Sequence, residues 1–124
     1  MPRQILVIDD EQSIRTLLKQ VFERHGYQVL VAPNGDVGVQ QFKENHVDLV
    51  ILDLIMPEKD GIETIRELKS LDADIKIIAI SGGGIIKPEL YLKLARKFGA
   101  IYSFQKPINN DEITTFVKTL FPQT

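Results

Sequence analysis

The chain has 124 residues, of which 44% are hydrophobic and 26% charged, and its formal net charge is −2 at pH 7. These values are ordinary for one folded globular domain and argue against a disordered chain. The absence of cysteine excludes disulfides, thiolate catalysis and cysteine-based metal sites. No apolar run approaches the roughly 20 residues that span a bilayer, and no signal-peptide pattern is present, so we expect a cytoplasmic protein without membrane contact. The absence of a basic cluster argues against nucleic acid contact by this domain.

Five short apolar segments predict the strands of a sheet. Continuous rather than alternating hydrophobicity is typical of strands that are buried on both faces of a parallel sheet. Four segments have this character, the last more weakly: residues 5–8, 49–52, 77–80 and 101–104. Residues 27–32 predict a fifth strand nearer an edge of the sheet.

Helical patterns lie between and after these strands. Gly26 is placed to end a first helix, whose apolar positions follow the i, i+3, i+4 spacing: Ile14, Leu17, Leu18, Val21 and Phe22. Residues 34–44 predict a weaker second helix that contains Gly38. Asp60 is placed to cap a third helix, with Glu63 completing a capping box.

Two further helices complete the pattern. Pro88 suits the first turn of the fourth helix, for which we expect a buried stripe of Tyr91, Leu94, Ala95 and Phe98. The fifth helix follows Asn109 and is expected to bury Ile113, Phe116, Val117 and Leu120. A strand–helix unit repeated five times, with right-handed crossovers, predicts a doubly wound α/β fold with a five-stranded parallel sheet. We expect one domain over residues 1–124.

Polar side chains stand where the predicted strands end. Asp9 and Asp10 follow the first strand, Asp53 the third, Ser81 the fourth and Lys106 the fifth. In open α/β sheets, ligands bind outside the carboxyl ends of the strands, at the point where the strand order reverses. If the first and third strands are neighbours, these five residues share one crevice.

The chemistry of these residues is complementary. Three carboxylates in a partly desolvated crevice repel one another unless a cation neutralises them, and Mg²⁺ is the hard, oxygen-seeking ion that fits. An ionised Asp53 is then a nucleophile for phosphorus, with Lys106 and the cation stabilising the transferred oxygens and Ser81 donating a hydrogen bond. Taken singly, each residue has an ordinary explanation as a helix cap, turn residue or surface lysine. These ordinary explanations do not account for the whole set, because caps and turns at four separate strand ends would not be expected to combine carboxylates, a hydroxyl and a lysine.

The ordered set of motifs resembles the receiver domain of two-component response regulators, and in particular the single-domain chemotaxis regulators. The motifs are ILVIDDE at 5–11, LVILDLIMP at 49–57, Asp60-Gly61, Ser81-Gly82, Gly99-Ala100 and Lys106-Pro107. The resemblance implies a flavodoxin-like sheet of order 2-1-3-4-5. It also implies that Asp53 is phosphorylated by a sensor histidine kinase or a phosphotransfer protein, and that the phosphorylated domain acts on a downstream protein target.

The same resemblance implies a role for each site residue. Asp10 and Asp53 are expected to bind Mg²⁺ directly, Asp9 mostly through water, and Ile55 through its backbone carbonyl. Ser81 and Lys106 are expected to contact the phosphoryl group, and the peptide bond between Lys106 and Pro107 is expected to be cis.

Two features depart from the family pattern. The spacing from Ser81 to Lys106 is longer than is usual, and the surplus falls in the glycine-rich residues 82–87. Receivers commonly carry an aromatic residue three positions before the lysine, whereas this chain has Ser103 there and Tyr102 on the opposite side of the strand. We therefore hypothesise that the signal leaves through the glycine-rich loop and the fourth helix.

Alternative functions stay open at this point. The domain is expected to be a phosphoacceptor that assists its own phosphorylation and dephosphorylation rather than an enzyme. A phosphatase that acts through an aspartyl intermediate is the enzymatic alternative, although no DxD motif follows either acidic strand end. The remaining alternatives are a receiver-like scaffold that is never phosphorylated and a receiver fragment of a regulator with a separate output domain.

Overall fold

Strands and helices alternate along the part of the chain that the computed structural model describes, residues 2–56, 59–82 and 88–122. The strands are β1 (Gln4–Ile8), β2 (Gln28–Ala32), β3 (Leu49–Asp53), β4 (Lys76–Ser81) and β5 (Tyr102–Gln105). The helices are α1 (Gln12–Arg24), α2 (Gly35–Glu44), α3 (Gly61–Leu71), α4 (Pro88–Phe98) and α5 (Asn110–Leu120). Within these ranges, no helix combines the length and apolar character that crossing a membrane requires.

The strands form one parallel sheet in the order β2-β1-β3-β4-β5. This confirms the doubly wound fold and the expected strand order. The register pairs Ile8 with Leu52, so β1 and β3 end side by side. The residues that follow these two positions, Asp9 and Asp53, therefore emerge next to each other at the carboxyl edge of the sheet.

Each face of the sheet has its own hydrophobic core. Alternate side chains of a strand point to opposite faces, so Ile5 and Val7 join one cluster while Leu6 and Ile8 join the other. Helices α1 and α5 cover the first face, and α2, α3 and α4 cover the second. Burial on both faces explains why the segments of β1, β3 and β4 are almost continuously apolar, whereas β5, at the edge of the sheet, has no fully buried residue.

Local signals set the ends of most helices. Gly26 has a φ of +89°, a left-handed conformation that glycine adopts without strain, directly beyond α1. The side chains of Asn34, Asp60 and Asn109 each accept a hydrogen bond from the backbone N–H three residues later. For Asp60 this is one half of the predicted capping box. The second bond of a capping box, in which the Glu63 carboxylate would accept the backbone N–H of Asp60, is not formed among the described residues.

The stripe that we predicted for α4 is wrong in two of its four positions. Ala95 is buried, but Leu94 is 36% exposed and Phe98 is 37% exposed. The residue that packs on the core beside Ala95 is Leu92, three positions earlier. Leucines at alternate positions fit either face of a helix, so their spacing alone could not choose the face. The Tyr91 side chain lies outside the described residues.

Gly61 packs directly against the backbone that carries the end of β3. Its N–H donates to the carbonyl oxygen of Leu54 at 2.9 Å. A Cβ atom at this position would lie 2.5 Å from the Leu54 Cα and 2.7 Å from the Asp53 carbonyl oxygen. Because these neighbours are backbone atoms, a side chain here must displace the strand end itself.

Gly61→Ala should lower the free energy of unfolding by about 1–3 kcal/mol, because the overpacking acts on backbone. Helix propensity alone predicts the opposite sign, since alanine is favoured over glycine by about 1 kcal/mol. Urea denaturation followed by circular dichroism gives the sign. Ser70→Ala, at an exposed position of the same helix, is the control and should change stability by less than about 0.5 kcal/mol. If Gly61→Ala were more stable than the wild type, the backbone at the end of β3 would accommodate the added Cβ atom at little cost, and the prediction would be wrong.

Candidate functional site

The structure brings the predicted polar residues together at the carboxyl edge of the sheet. Asp9, Asp53 and Ser81 are almost wholly buried, with exposed fractions of 0%, 2% and 1%. The Nζ atom of Lys106 lies 3.1 Å from Asp9 Oδ2 and 3.4 Å from Asp53 Oδ2. Asp10 is exposed and lies at the same edge. Buried polar groups in this number are unusual for a hydrophobic core and indicate a functional site.

Backbone hydrogen bonds continue past the strand ends and hold the loops that carry the site. The Asp9 N–H donates to the Ala32 carbonyl at 3.1 Å, which attaches the end of β1 to β2. The Lys106 N–H donates to the Ser81 carbonyl at 2.9 Å, which attaches the loop after β5 to β4. These hydrogen bonds fix the backbone positions of Asp9 and Lys106.

Four carboxyl groups form a cluster around this point. One carboxylate oxygen from each of Asp9, Asp10, Glu11 and Asp53 lies within 4.8 Å of the others. The Oδ1 atom of Asp9 accepts the Glu11 N–H at 2.8 Å, whereas its buried Oδ2 atom has no hydrogen-bond partner among the described residues. The ammonium of Lys106 lies 3.1 Å from that oxygen and forms an ion pair with it. A hard divalent cation fits this donor set, because it would satisfy the buried oxygen and reduce the repulsion.

Glu11 is the residue that sequence reasoning missed. It stands within the ILVIDDE motif, but the sequence analysis gave it no role. In the structure its Oε1 atom lies 2.7 Å from Lys106 Nζ, the shortest ion pair that this lysine makes. The available signal was its position directly after the acidic pair, where it shares their edge of the sheet.

The charges of the site shift its proton equilibria. Burial raises the pKa of Asp53 to about 7; the negative charge of Asp9 adds to the rise and Lys106 opposes it. Burial also raises the pKa of Asp9, although the Glu11 N–H and Lys106 partly offset it. Partial burial disfavours the charged form of Lys106, but its bond to Glu11 and the charges of Asp53 and Asp9 outweigh this and raise its pKa.

Asp53 makes two contacts, and Ser81 supplies neither of them. Asp53 Oδ1 accepts the backbone N–H of Ile55 at 3.1 Å, and Oδ2 accepts from Lys106 at 3.4 Å. The Ser81 hydroxyl donates to the Gly82 carbonyl at 3.3 Å instead. Ser81 lies at the end of β4, as predicted, and its expected contact with a phosphoryl group stays a prediction. Ile55, whose carbonyl we expected to be a ligand, is 39% exposed.

The first two residues of β5 show the arrangement that the sequence suggested. Ser103 lies beside Leu92 and Arg96 of α4. Tyr102 lies on the other side, where its ring stacks on Phe116 of α5 at a centroid distance of 4.4 Å. The two side chains are therefore on opposite sides of the strand, as predicted. The bond between Lys106 and Pro107 is cis, also as predicted. Residues 83–87, which carry most of the surplus loop length, lie outside the described ranges.

Asp53→Asn should stabilise the metal-free protein in a pH-dependent way. Because the pKa of Asp53 is raised from 3.8 to about 7 in the folded state, the folded state binds its proton more tightly than the unfolded state. Stability of the wild type is therefore lost as pH rises from about 4 to about 7. The variant should be more stable by up to about 4 kcal/mol at pH 7.5, and the difference should shrink toward pH 4.

Urea denaturation in buffers containing EDTA measures this difference at each pH. Asp74→Asn, which replaces an exposed carboxyl group, is the control and should change stability little at either pH. If the stability difference between wild type and Asp53→Asn stayed constant across this pH range, folding would not raise the pKa of Asp53, and the prediction would be wrong.

Comparisons with known proteins agree with this geometry. The family model described as "Response regulator receiver domain" matches residues 5–118. The chain is 35% identical over 122 residues to sporulation initiation phosphotransferase F of Bacillus subtilis (strain 168), with 98% of this chain and 96% of that protein covered.

Solved structures give the same result. A response regulator receiver domain protein from Clostridium thermocellum matches with a TM-score of 0.86 and 32% identity, over 94% of this chain and 92% of that one. A second match is the CheX-CheY-BeF3-Mg+2 complex from Borrelia burgdorferi, with a TM-score of 0.87 and 27% identity over 99% of this chain and 92% of that one. The strand order, the acidic edge with its lysine and the family match together show that the chain belongs to the receiver domains of two-component response regulators.

Proposed function

We propose that this receiver accepts a phosphoryl group on Asp53 in an Mg²⁺-dependent reaction and thereby switches its binding to a protein partner. The observation that carries the proposal is the position of Asp53. It is a buried carboxylate with one oxygen 3.4 Å from a lysine ammonium, inside a cluster of acids that spans 4.8 Å. The proposed donor is a phosphohistidine on a sensor histidine kinase or a phosphotransfer protein.

The transfer balances as a displacement at phosphorus. One Asp53 oxygen attacks the phosphorus atom and forms a P–O bond, while the N–P bond of the donor breaks. The electron pair of that bond stays on the imidazole nitrogen of the donor. Lys106 lies beside the attacking carboxylate, where its positive charge would stabilise the phosphoryl oxygens. Asp53 must be ionised to attack, and nearby positive charge would enlarge the ionised fraction of this carboxyl group, whose pKa burial raises to about 7.

The residues proposed to hold Mg²⁺ are Asp9, Asp10 and Asp53, together with the backbone carbonyl of Ile55. When bound, the ion supplies positive charge that favours ionised Asp53 and stabilises the transferred oxygens. The unpartnered Oδ2 atom of Asp9 supports this assignment. So does the Borrelia complex, which contains Mg and BeF3 together.

Ser81 is proposed to hydrogen bond the phosphoryl group once it is on Asp53. In the structure, its hydroxyl is held by one long bond of 3.3 Å to the Gly82 carbonyl. A hydroxyl rotates at little cost, and an anionic phosphoryl oxygen is a stronger acceptor than a carbonyl. The hydroxyl can therefore turn toward the phosphoryl group without movement of β4.

We further propose that residues 1–124 form one receiver domain that acts as a phosphoacceptor rather than as an enzyme on free substrates. The match to the Bacillus phosphotransferase, which this chain covers almost completely, supports this domain extent. Because an intracellular kinase is the proposed donor, we place the protein in the cytoplasm. Its downstream target is proposed to be a protein.

Acetyl phosphate with Mg²⁺ should add one phosphoryl group to the wild type and none to Asp53→Asn, as measured by intact mass. EDTA should abolish the addition, because the acids then repel the donor. Asp74→Asn is the matched control and should be phosphorylated like the wild type. An unmodified wild type would favour the scaffold alternative. Sustained turnover of a generic phosphate ester would favour the phosphatase alternative.

The phosphoryl mimic beryllofluoride, added with Mg²⁺, should change amide hydrogen exchange in residues 82–98. The reason is that Ser103 has no ring to turn inward, so we expect the signal to leave through the loop after β4 and through α4. Mass spectrometry of peptic fragments locates the change. Unchanged protection in residues 82–98, with changes confined to other segments, would contradict this route.

A further inference from the structure

Glu11 makes the closest contact of the site lysine. Its Oε1 atom is 2.7 Å from Lys106 Nζ, compared with 3.1 Å for Asp9 Oδ2 and 3.4 Å for Asp53 Oδ2. The ammonium is therefore bound most closely to a carboxylate that has no part in the proposed phosphoryl transfer. Lys106 itself is well enclosed, with 12% of its side chain exposed.

The carboxylate of Glu11 has no structural task of its own at the start of α1. Glu11 is the N-cap residue, yet its side chain makes no capping hydrogen bond. The helix start uses its backbone instead, since the Glu11 carbonyl accepts the N–H groups of Ile14 and Arg15 at 3.1 Å. The Arg15 guanidinium, one turn along, donates to the Asp9 carbonyl at 2.8 Å. This leaves Lys106 as the partner of the Glu11 carboxylate.

We propose that Glu11 is a positioning residue, which holds the Lys106 ammonium in the unphosphorylated protein and releases it to the phosphoryl group on Asp53. The inference rests on the proposed function. The exchange is feasible because the Glu11 side chain is 55% exposed, and ion pairs that reach solvent are weak. The ammonium sits on a flexible four-carbon stem. Asp9 and Asp53 keep it at the site while its closest partner changes.

A direct consequence is competition. Glu11 and the anionic oxygens on Asp53 attract the same ammonium, so Glu11 lowers the affinity of the site for a phosphoryl group. Glu11→Gln keeps the size of the side chain and removes its charge. At saturating Mg²⁺, we expect this variant to bind beryllofluoride about two- to fivefold more tightly than the wild type, the range that an exposed ion pair allows. The gain should diminish at high salt, which screens the pair.

The experiment combines a binding and a structural measurement. Beryllofluoride affinity is measured by NMR titration for wild type, Glu11→Gln and Glu112→Gln. The last is the matched control, because Glu112 is an exposed glutamate in the first turn of α5. The Mg²⁺ affinity of each protein is measured alone, since Glu11 belongs to the acidic cluster. The ¹³Cε–¹⁵Nζ signal of the Lys106 ammonium reports the ion pair without any phosphoryl mimic.

The expected result is a shifted Lys106 signal and tighter beryllofluoride binding in Glu11→Gln alone. If the Lys106 ammonium signal did not shift in Glu11→Gln, the proposed ion pair between Glu11 and Lys106 would not exist in solution. A shifted signal with unchanged or weaker beryllofluoride binding at saturating Mg²⁺ would overturn the competition and leave Glu11 as a cation ligand only. If neither the wild type nor the variants bound beryllofluoride while the Lys106 signal still shifted in Glu11→Gln, the proposed function would fail. The proposed release of Lys106 from Glu11 to a phosphoryl group would then fail as well. That result is distinct from failure of the ion pair.

Discussion

One lysine and several carboxylates share a crevice from which water is largely excluded, and this imbalance of charge determines the behaviour of the site. Burial raises the pKa of both Asp9 and Asp53, and the charge of the one lysine, Lys106, only partly opposes this. One ammonium is shared among several acidic oxygens, and the Oδ2 atom of Asp9 has the Lys106 ion pair but no hydrogen bond among the described residues. The acidic cluster of Asp9, Asp10, Glu11 and Asp53 is therefore a donor set that a hard divalent cation fits.

The fold creates this imbalance because a parallel sheet ends all of its strands at one edge. The adjacency of β1 and β3 places Asp9 and Asp53 side by side, and β4 and β5 bring Ser81 and Lys106 to the same edge. Two hydrophobic cores, one on each face, hold the strands in place. Burial of apolar side chains in these cores offsets the unfavourable free energy of placing several carboxylates close together. Gly61, packed against the end of β3, shows how closely the supporting backbone is fitted.

Much of this arrangement could be predicted from the sequence, because strands buried on both faces have an unmistakable apolar character. Each polar residue at a strand end then has a fixed place, which is why Asp9, Asp53 and Lys106 were found. The position of Glu11 after the acidic pair places it at this edge, but its contact with Lys106 could not be predicted, since it depends on the direction of a long side chain. The exposed face of α4 was misjudged for a related reason: its leucines fit more than one helical face. The orientation of the Ser81 hydroxyl likewise depends on acceptors that spacing does not reveal.

The stacked pair of Tyr102 and Phe116 has a practical consequence. The chain contains no tryptophan and three tyrosines, so its near-ultraviolet spectrum comes from few chromophores. Tyr102 lies on β5 next to Ser103; the residue is 41% exposed and its ring stacks on Phe116 of α5. A displacement of β5 against α5 would alter the surroundings of this ring. The domain thus contains an intrinsic optical reporter between β5 and α5, and it needs no attached dye.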